Sequence, residues 1–108
     1  MEIMMHVKLV KPEGASNKEF FEVWRQESVA AMEAVKAGAL KHIWKVGGKY
    51  EVIAVLDVDN GEQMDEIIHS LRIWKLGYAH IAPEITWTPL RSYATWAEQL
   101  NTLSKGEW

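Results

Sequence analysis

A chain of 108 residues has the length of one domain and can bury a core without disulfide or metal staples. It contains no cysteine, which excludes disulfides and thiolate metal sites and suits a reducing cytoplasm. The net charge is only -3 with lysines and arginines scattered, so nucleic acid is not an expected partner, and the opening MEIMMHVKLVK is too short and too charged for a signal peptide or a membrane span.

Residues 2–11 read as a strand, followed by the loop KPEGASNKE. Ser16 and Glu19 have the S-x-x-E spacing of a capping box, in which a side-chain oxygen takes up an orphan amide of the first helical turn. A long helix is predicted from about Asn17 to Lys36, ended by Gly38. LKHIWKV alternates as a strand, Gly47 and Gly48 turn the chain, and KYEVIAVLDV returns as the next strand. Asn60 and Gln63 resemble a second cap, ahead of a helix with Met64, Ile67, Ile68 and Leu71 on one stripe. RIWKLGYAHIAP reads as a loop or broken helix, and EITWTPL as a short strand whose Pro89 suits an edge or a strand end. Ser92 then starts a helical extension over residues 92–108. The order β-α-β-β-α-β is ferredoxin-like, an α+β arrangement with two helices on one face of a four-stranded antiparallel sheet, and it spans residues 1–108 as a single domain. The other sheet face also needs cover. Two such sheets packed together make a dimeric α/β barrel, so a homodimer or higher homo-oligomer is expected.

The first helix carries one anomaly. At 100° per residue, Phe20, Phe21, Val23, Trp24, Ala30, Ala31, Met32, Ala34 and Val35 share a wide apolar arc. Lys18, Glu19, Glu22, Arg25, Glu33 and Lys36 take the opposite arc, yet Glu27 falls inside the apolar one, the only charged residue there. A buried carboxylate must be paired or must raise its pKa. Two readings stand. Glu27 is a structural ion pair or a shoulder residue reaching water, or it is a general acid/base held in an apolar pocket.

Companions come from the strands. His6 and Lys8 share a face with Met4, and His42 shares one with Leu40, Trp44 and Val46. A two-residue turn at Gly47-Gly48 puts Tyr50 on the face opposite His42. A three-residue turn with a bulge at Gly48 puts Tyr50, Val52, Ala54 and Leu56 beside His42 and Trp44. The second is preferred because it sets Lys45 against Glu51. His69 falls on the outer face of its helix and His80 in a loop. The six tryptophans serve either as core and interface or as pocket walls. No phosphate loop, metal-spaced histidine pair or nucleophile elbow is present, so an enzyme built on this chain is expected to need no cofactor and no metal.

The stretch ESVAAMEAVKAGALKHIWKVGGKY, followed by VLDV, resembles muconolactone Δ-isomerases, as does the opening HVKL. The family pattern H-V-K-M, a helical Glu, then G-x-W-R-H-L-W-R-x-x-G-x-Y and F-D-V falls on His6, Val7 and Lys8, on Glu27, on Gly38, Lys41, His42, Trp44, Lys45, Gly48 and Tyr50, and on Asp57 and Val58. The resemblance implies a ferredoxin-like subunit paired into barrels, often in a ring-like decamer. It also implies cofactor-free isomerisation of a carboxylated unsaturated lactone from aromatic degradation. Glu27 would carry the proton; Tyr50, His42 or Lys8 would hold the oxygen or the substrate carboxylate; Trp44 would form a wall. The sequence departs from the family at Leu71 to Tyr78, where Arg72 and Lys75 add charge that suits an anionic substrate, and at Val52 and Ala54, where the family is polar. The tail helix also looks like an addition. The candidate set is therefore Glu27 and Tyr50 as catalytic residues, with His6, Lys8, Trp24, His42, Trp44 and Arg72 for substrate binding. Two other functions compete: a dimeric-barrel, cofactor-free oxygenase or cyclase of polyketide or phenolic compounds, and a non-catalytic small-molecule-binding subunit.

Overall fold

The computed structural model describes residues 1–75 and 77–106; Leu76, within the segment that departs from the family, and the Trp108 end of the predicted tail lie outside it, as does the Lys75 side chain. Strand β1 spans Glu2–Lys8, helix α1 Asn17–Lys36, β2 His42–Lys45, β3 Glu51–Asp57 and α2 Gly61–Ser70. A short helix α3 follows at Arg72–Lys75, then a 3-10 turn at Ala79–Ile81, β4 at Glu84–Pro89 and α4 at Tyr93–Leu103. The strands form one antiparallel sheet in the order β2-β3-β1-β4, which is the ferredoxin-like arrangement. Pro89 closes an edge strand, where its missing N–H costs no ladder bond.

Both helix starts form as their local sequences dictate. Ser16 Oγ accepts the Glu19 N–H at 3.1 Å. Asn60 Oδ1 accepts the Gln63 N–H at 2.9 Å, while Gln63 Oε1 accepts the Asp59 N–H at 2.6 Å. Helix α1 ends where Gly38 takes a φ of +79°, which lets the Ala39 N–H reach back to the Ala34 carbonyl at 2.9 Å.

The core lies between the helices and one sheet face. Ile3, Met5 and Val7 of β1 pack with Ala54, Leu56 and Val58, and Met64 and Ile67 of α2 lie against them. A second cluster joins Phe20 and Val23 of α1 to Ile73 and Ile81, with Leu9 and Ala82 touching both clusters. Helix α4 buries none of its side chains, and the molecule is 59 Å long against 28 and 23 Å across. No helix among the described residues is long and apolar enough to cross a membrane.

The β2–β3 hairpin corrects the preferred register. His42 pairs with Val55, Trp44 with Ile53 and Lys45 with Val52, and the Val46 N–H donates to the Glu51 carbonyl at 2.9 Å. The connection is therefore a four-residue turn over residues 47–50, not three residues with a bulge. Its parity places Val52, Ala54 and Leu56 toward the helices and His42 and Trp44 on the far face. Tyr50 follows the helix side too, with its ring 5.7 Å from those of Phe20, Phe21 and Trp24, so it does not share a face with His42. The cross-strand ion pair that favoured the bulge is worth only about 0.2–1 kcal/mol, too little to hold a register against the packing of Ala54 and Leu56 with β1 and α2. Glu51 instead takes His6 as partner, with Oε1 2.7 Å from Nε2.

Candidate active site

Helix α1 does not press its whole inner face onto the sheet. Ala30, Ala31 and Ala34 stand where larger side chains would fill the space, and a cavity of about 620 Å³ remains between α1, the sheet and α2. Its floor is Met5, Val7, Ile43, Ala54 and Leu56; Ile67, Leu71 and Ile73 form one wall, and Trp24 stands on the helix side. A mostly apolar slot of this size, with few polar groups, has the character of a small-molecule site.

Glu27 lines this cavity. Its Oε2 accepts the main-chain N–H of Ile73 at 2.8 Å, across 46 residues of chain. Ile73 lies in the first turn of α3, whose amides have no intrahelical acceptor, so the carboxylate satisfies a donor that needs one. Burial pushes the Glu27 carboxyl above the ordinary glutamate value; the Ile73 and Arg72 main-chain donors and the Arg72 charge pull the other way without cancelling it. No lysine or arginine forms an ion pair with Glu27 among the described residues. A half-buried carboxyl with raised proton affinity, beside an apolar space, can take a proton from a weak carbon acid and give it back.

The other candidates divide between two sides of the sheet. Trp24 lines the cavity beside Glu27. Arg72 is exposed and does not line the cavity, and it acts on Glu27 through its main-chain N–H and its charge. Tyr50 is not a lining residue: it is 50% exposed and its ring stands edge-on to Trp24, at 85°. His6 and Lys8 face away from Glu27, bound to Glu51 and lying 3.6 Å from Glu84 respectively. His42 is on that far face as well, stacked on Trp44 with centroids 5.1 Å apart. Trp44 touches the cavity rim from β2.

Two contributors escaped the reading of the sequence. The Ile73 N–H is a main-chain group and leaves no trace in residue type. Lys45 lines the cavity, because the register turns it inward opposite Val52. Among the described residues no three His, Cys, Asp or Glu side chains gather as a metal ion would need.

Comparison with known proteins identifies the family and the fold. The profile of the family described as "Muconolactone delta-isomerase" matches residues 1–95. A curated relative, the muconolactone Delta-isomerase of Acinetobacter baylyi (strain ATCC 33305 / BD413 / ADP1), is 29% identical over 48 residues, 44% of this chain. That match spans 50% of the relative's length. A solved crystal structure of muconolactone isomerase superposes with a TM-score of 0.67, covering 85% of this chain and 90% of that one at 17% identity, a likeness of fold. Helix α4 begins at Tyr93, so most of it lies beyond the family match.

Proposed function

The chain belongs to the muconolactone delta-isomerase family, and from that premise we propose that it is a cofactor-free isomerase of an unsaturated lactone or a related product of aromatic degradation. The Glu27 carboxylate removes a proton from a carbon next to the conjugated system. The bonding electrons spread into a dienolate ending on the lactone carbonyl oxygen. Glu27 then returns the proton to a different carbon of the same system, so the double bond has moved and nothing is gained or lost. The step needs neither redox change nor co-substrate. Trp24 forms the wall against which the flat ring lies, and Tyr50 holds Trp24 in place through their edge-to-face contact.

One observation carries this reading: the Glu27 carboxyl lines an apolar cavity, with its proton affinity raised and no cation paired to it among the described residues. A purely structural glutamate would be expected against an arginine or lysine, without space beside it. The subunits pair as a dimeric α/β barrel through the far sheet face, where Met4, Ile53 and Val55 sit among His6, His42 and Trp44. In this assembly His6, Lys8 and His42 belong to the contact between sheets rather than to the proton transfer. The setting is the cytoplasm.

The test is a substrate screen over muconolactones and their chloro and methyl relatives, followed by ultraviolet absorbance. Glu27→Gln keeps the shape and removes the proton carrier, so turnover should fall by about 10²-fold or more. Turnover equal to that of the parent chain removes Glu27 from the reaction.

A further inference from the structure

The polar side chains around the cavity differ in what they have left to offer. Ser28 Oγ donates to the Arg25 carbonyl at 2.7 Å, and Ser70 Oγ to the Ile67 carbonyl at 2.7 Å. Gln63 is engaged by the Asp59 N–H, and Asp57 by Lys41 at 3.0 Å. Among the described residues, two charged groups remain. Glu27 accepts from Ile73, and Lys45 gives one N–H to the Val46 carbonyl at 3.0 Å. An ammonium has three donors, so Lys45 retains two. No carboxylate lies within ion-pair distance of it among the described residues. The hairpin register is the reason: Glu51, the partner that adjacency would suggest, is turned to the far face and taken by His6.

We propose that Lys45 is the anion-binding residue of this cavity, selecting a small, mostly apolar ligand with one carboxylate and holding that carboxylate at the hairpin end of the slot while Glu27 works on the carbon skeleton. Among the described residues, no other lysine or arginine lines the cavity. Lys8 lies on the far face near Glu84, Lys41 is held by Glu2 and Asp57, and Arg72 is not a lining residue. The separation between Lys45 and Glu27 is chemically useful. A cation paired with Glu27 would hold it ionised and lower its basicity, whereas one elsewhere in the slot neutralises the ligand and leaves the base strong. Lys45 is exposed at the rim, so water screens the interaction and its effect is moderate.

The inference rests on reading this cavity as the substrate site. Its test measures binding, not turnover, so it fails or holds apart from the isomerase reading. Muconolactone and its methyl ester are titrated by calorimetry into Glu27→Gln protein, which keeps the probe intact. The acid should bind more tightly than the ester. Adding Lys45→Met should weaken the acid about tenfold or more and leave the ester within about twofold, as expected for loss of one charge-assisted contact. Lys45→Arg should keep the preference for the acid, and Lys8→Met should change neither ligand. Equal binding of acid and ester to the Glu27→Gln protein overturns the proposal, as does an acid that fails to bind. So does acid binding that survives Lys45→Met unchanged, or falls together with ester binding.

Discussion

Replacing Ala31 by leucine should make this protein more stable and less active at once. Ala31 lines the cavity one helical turn after Glu27. Leucine and alanine have similar helix propensities, so the backbone of α1 tolerates the change. The three added carbons enter space that is apolar and empty of protein atoms. At about 0.8 kcal/mol per buried carbon the gain has a ceiling of roughly 2.4 kcal/mol. Fixing the leucine rotamer costs about 0.5–1 kcal/mol, and part of the space is open to water, which leaves a net gain of about 1 kcal/mol. For a domain near this size that is a rise in Tm of roughly 4–8 °C. Thermal melts by circular dichroism, with urea titrations to check that the m-value is unchanged, provide the stability measurement; lactone turnover and ligand titration provide the other. A loss of about 1–3 kcal/mol, the ordinary result of forcing a larger side chain into a filled core, would refute the cavity.

Glu27 should leave a mark on stability against pH. Its carboxyl is raised by burial, so the folded chain holds the proton more tightly than the unfolded chain does. That contribution is fully present below the unfolded pKa and is lost as pH rises through the folded one. The urea midpoint of the parent minus that of Glu27→Gln should therefore fall from the ordinary glutamate range upward, and a difference independent of pH contradicts the shift. Glu22, held down to about 2 by Arg25, has the opposite sign but is common to both proteins and cancels. Tyr50→Phe keeps the ring that packs on Trp24 and should retain turnover within a few-fold, whereas Tyr50→Ala should reduce it; a large loss in Tyr50→Phe would mean that the hydroxyl itself takes part. Ile53→Lys introduces a charge into the centre of the far sheet face, and light scattering should find the assembly reduced toward the monomer mass. An unchanged mass would argue against pairing through that face.

What could be read from sequence was what is decided locally. The caps at Ser16 and Asn60 depend on side chains three residues from their targets, and both formed. The displacement of Glu27 into an apolar arc follows from helical geometry alone. The hairpin register does not. The run Val52-Ile53-Ala54-Val55-Leu56 is apolar on both of its faces, so alternation carries no mark of which side meets the helices. Packing of Ala54 and Leu56 with β1 and α2 decides it, and that is a contact between distant parts of the chain. The same error hid Lys45, which local adjacency paired with Glu51 and tertiary structure turns into the cavity. The segment from Arg72 was readable as a broken helix, but its hold on Glu27 runs through a main-chain N–H that any residue would supply.

The most direct measurement is a carbon-13 NMR titration of the Glu27 carboxyl, assigned by its disappearance in Glu27→Gln. A midpoint above the ordinary glutamate value, which falls when the neutral polar change Ala31→Asn admits water to the cavity, is the predicted result. A midpoint at or below the ordinary value would mean that this carboxylate is a satisfied structural anion, and the proposed proton transfer would have no carrier.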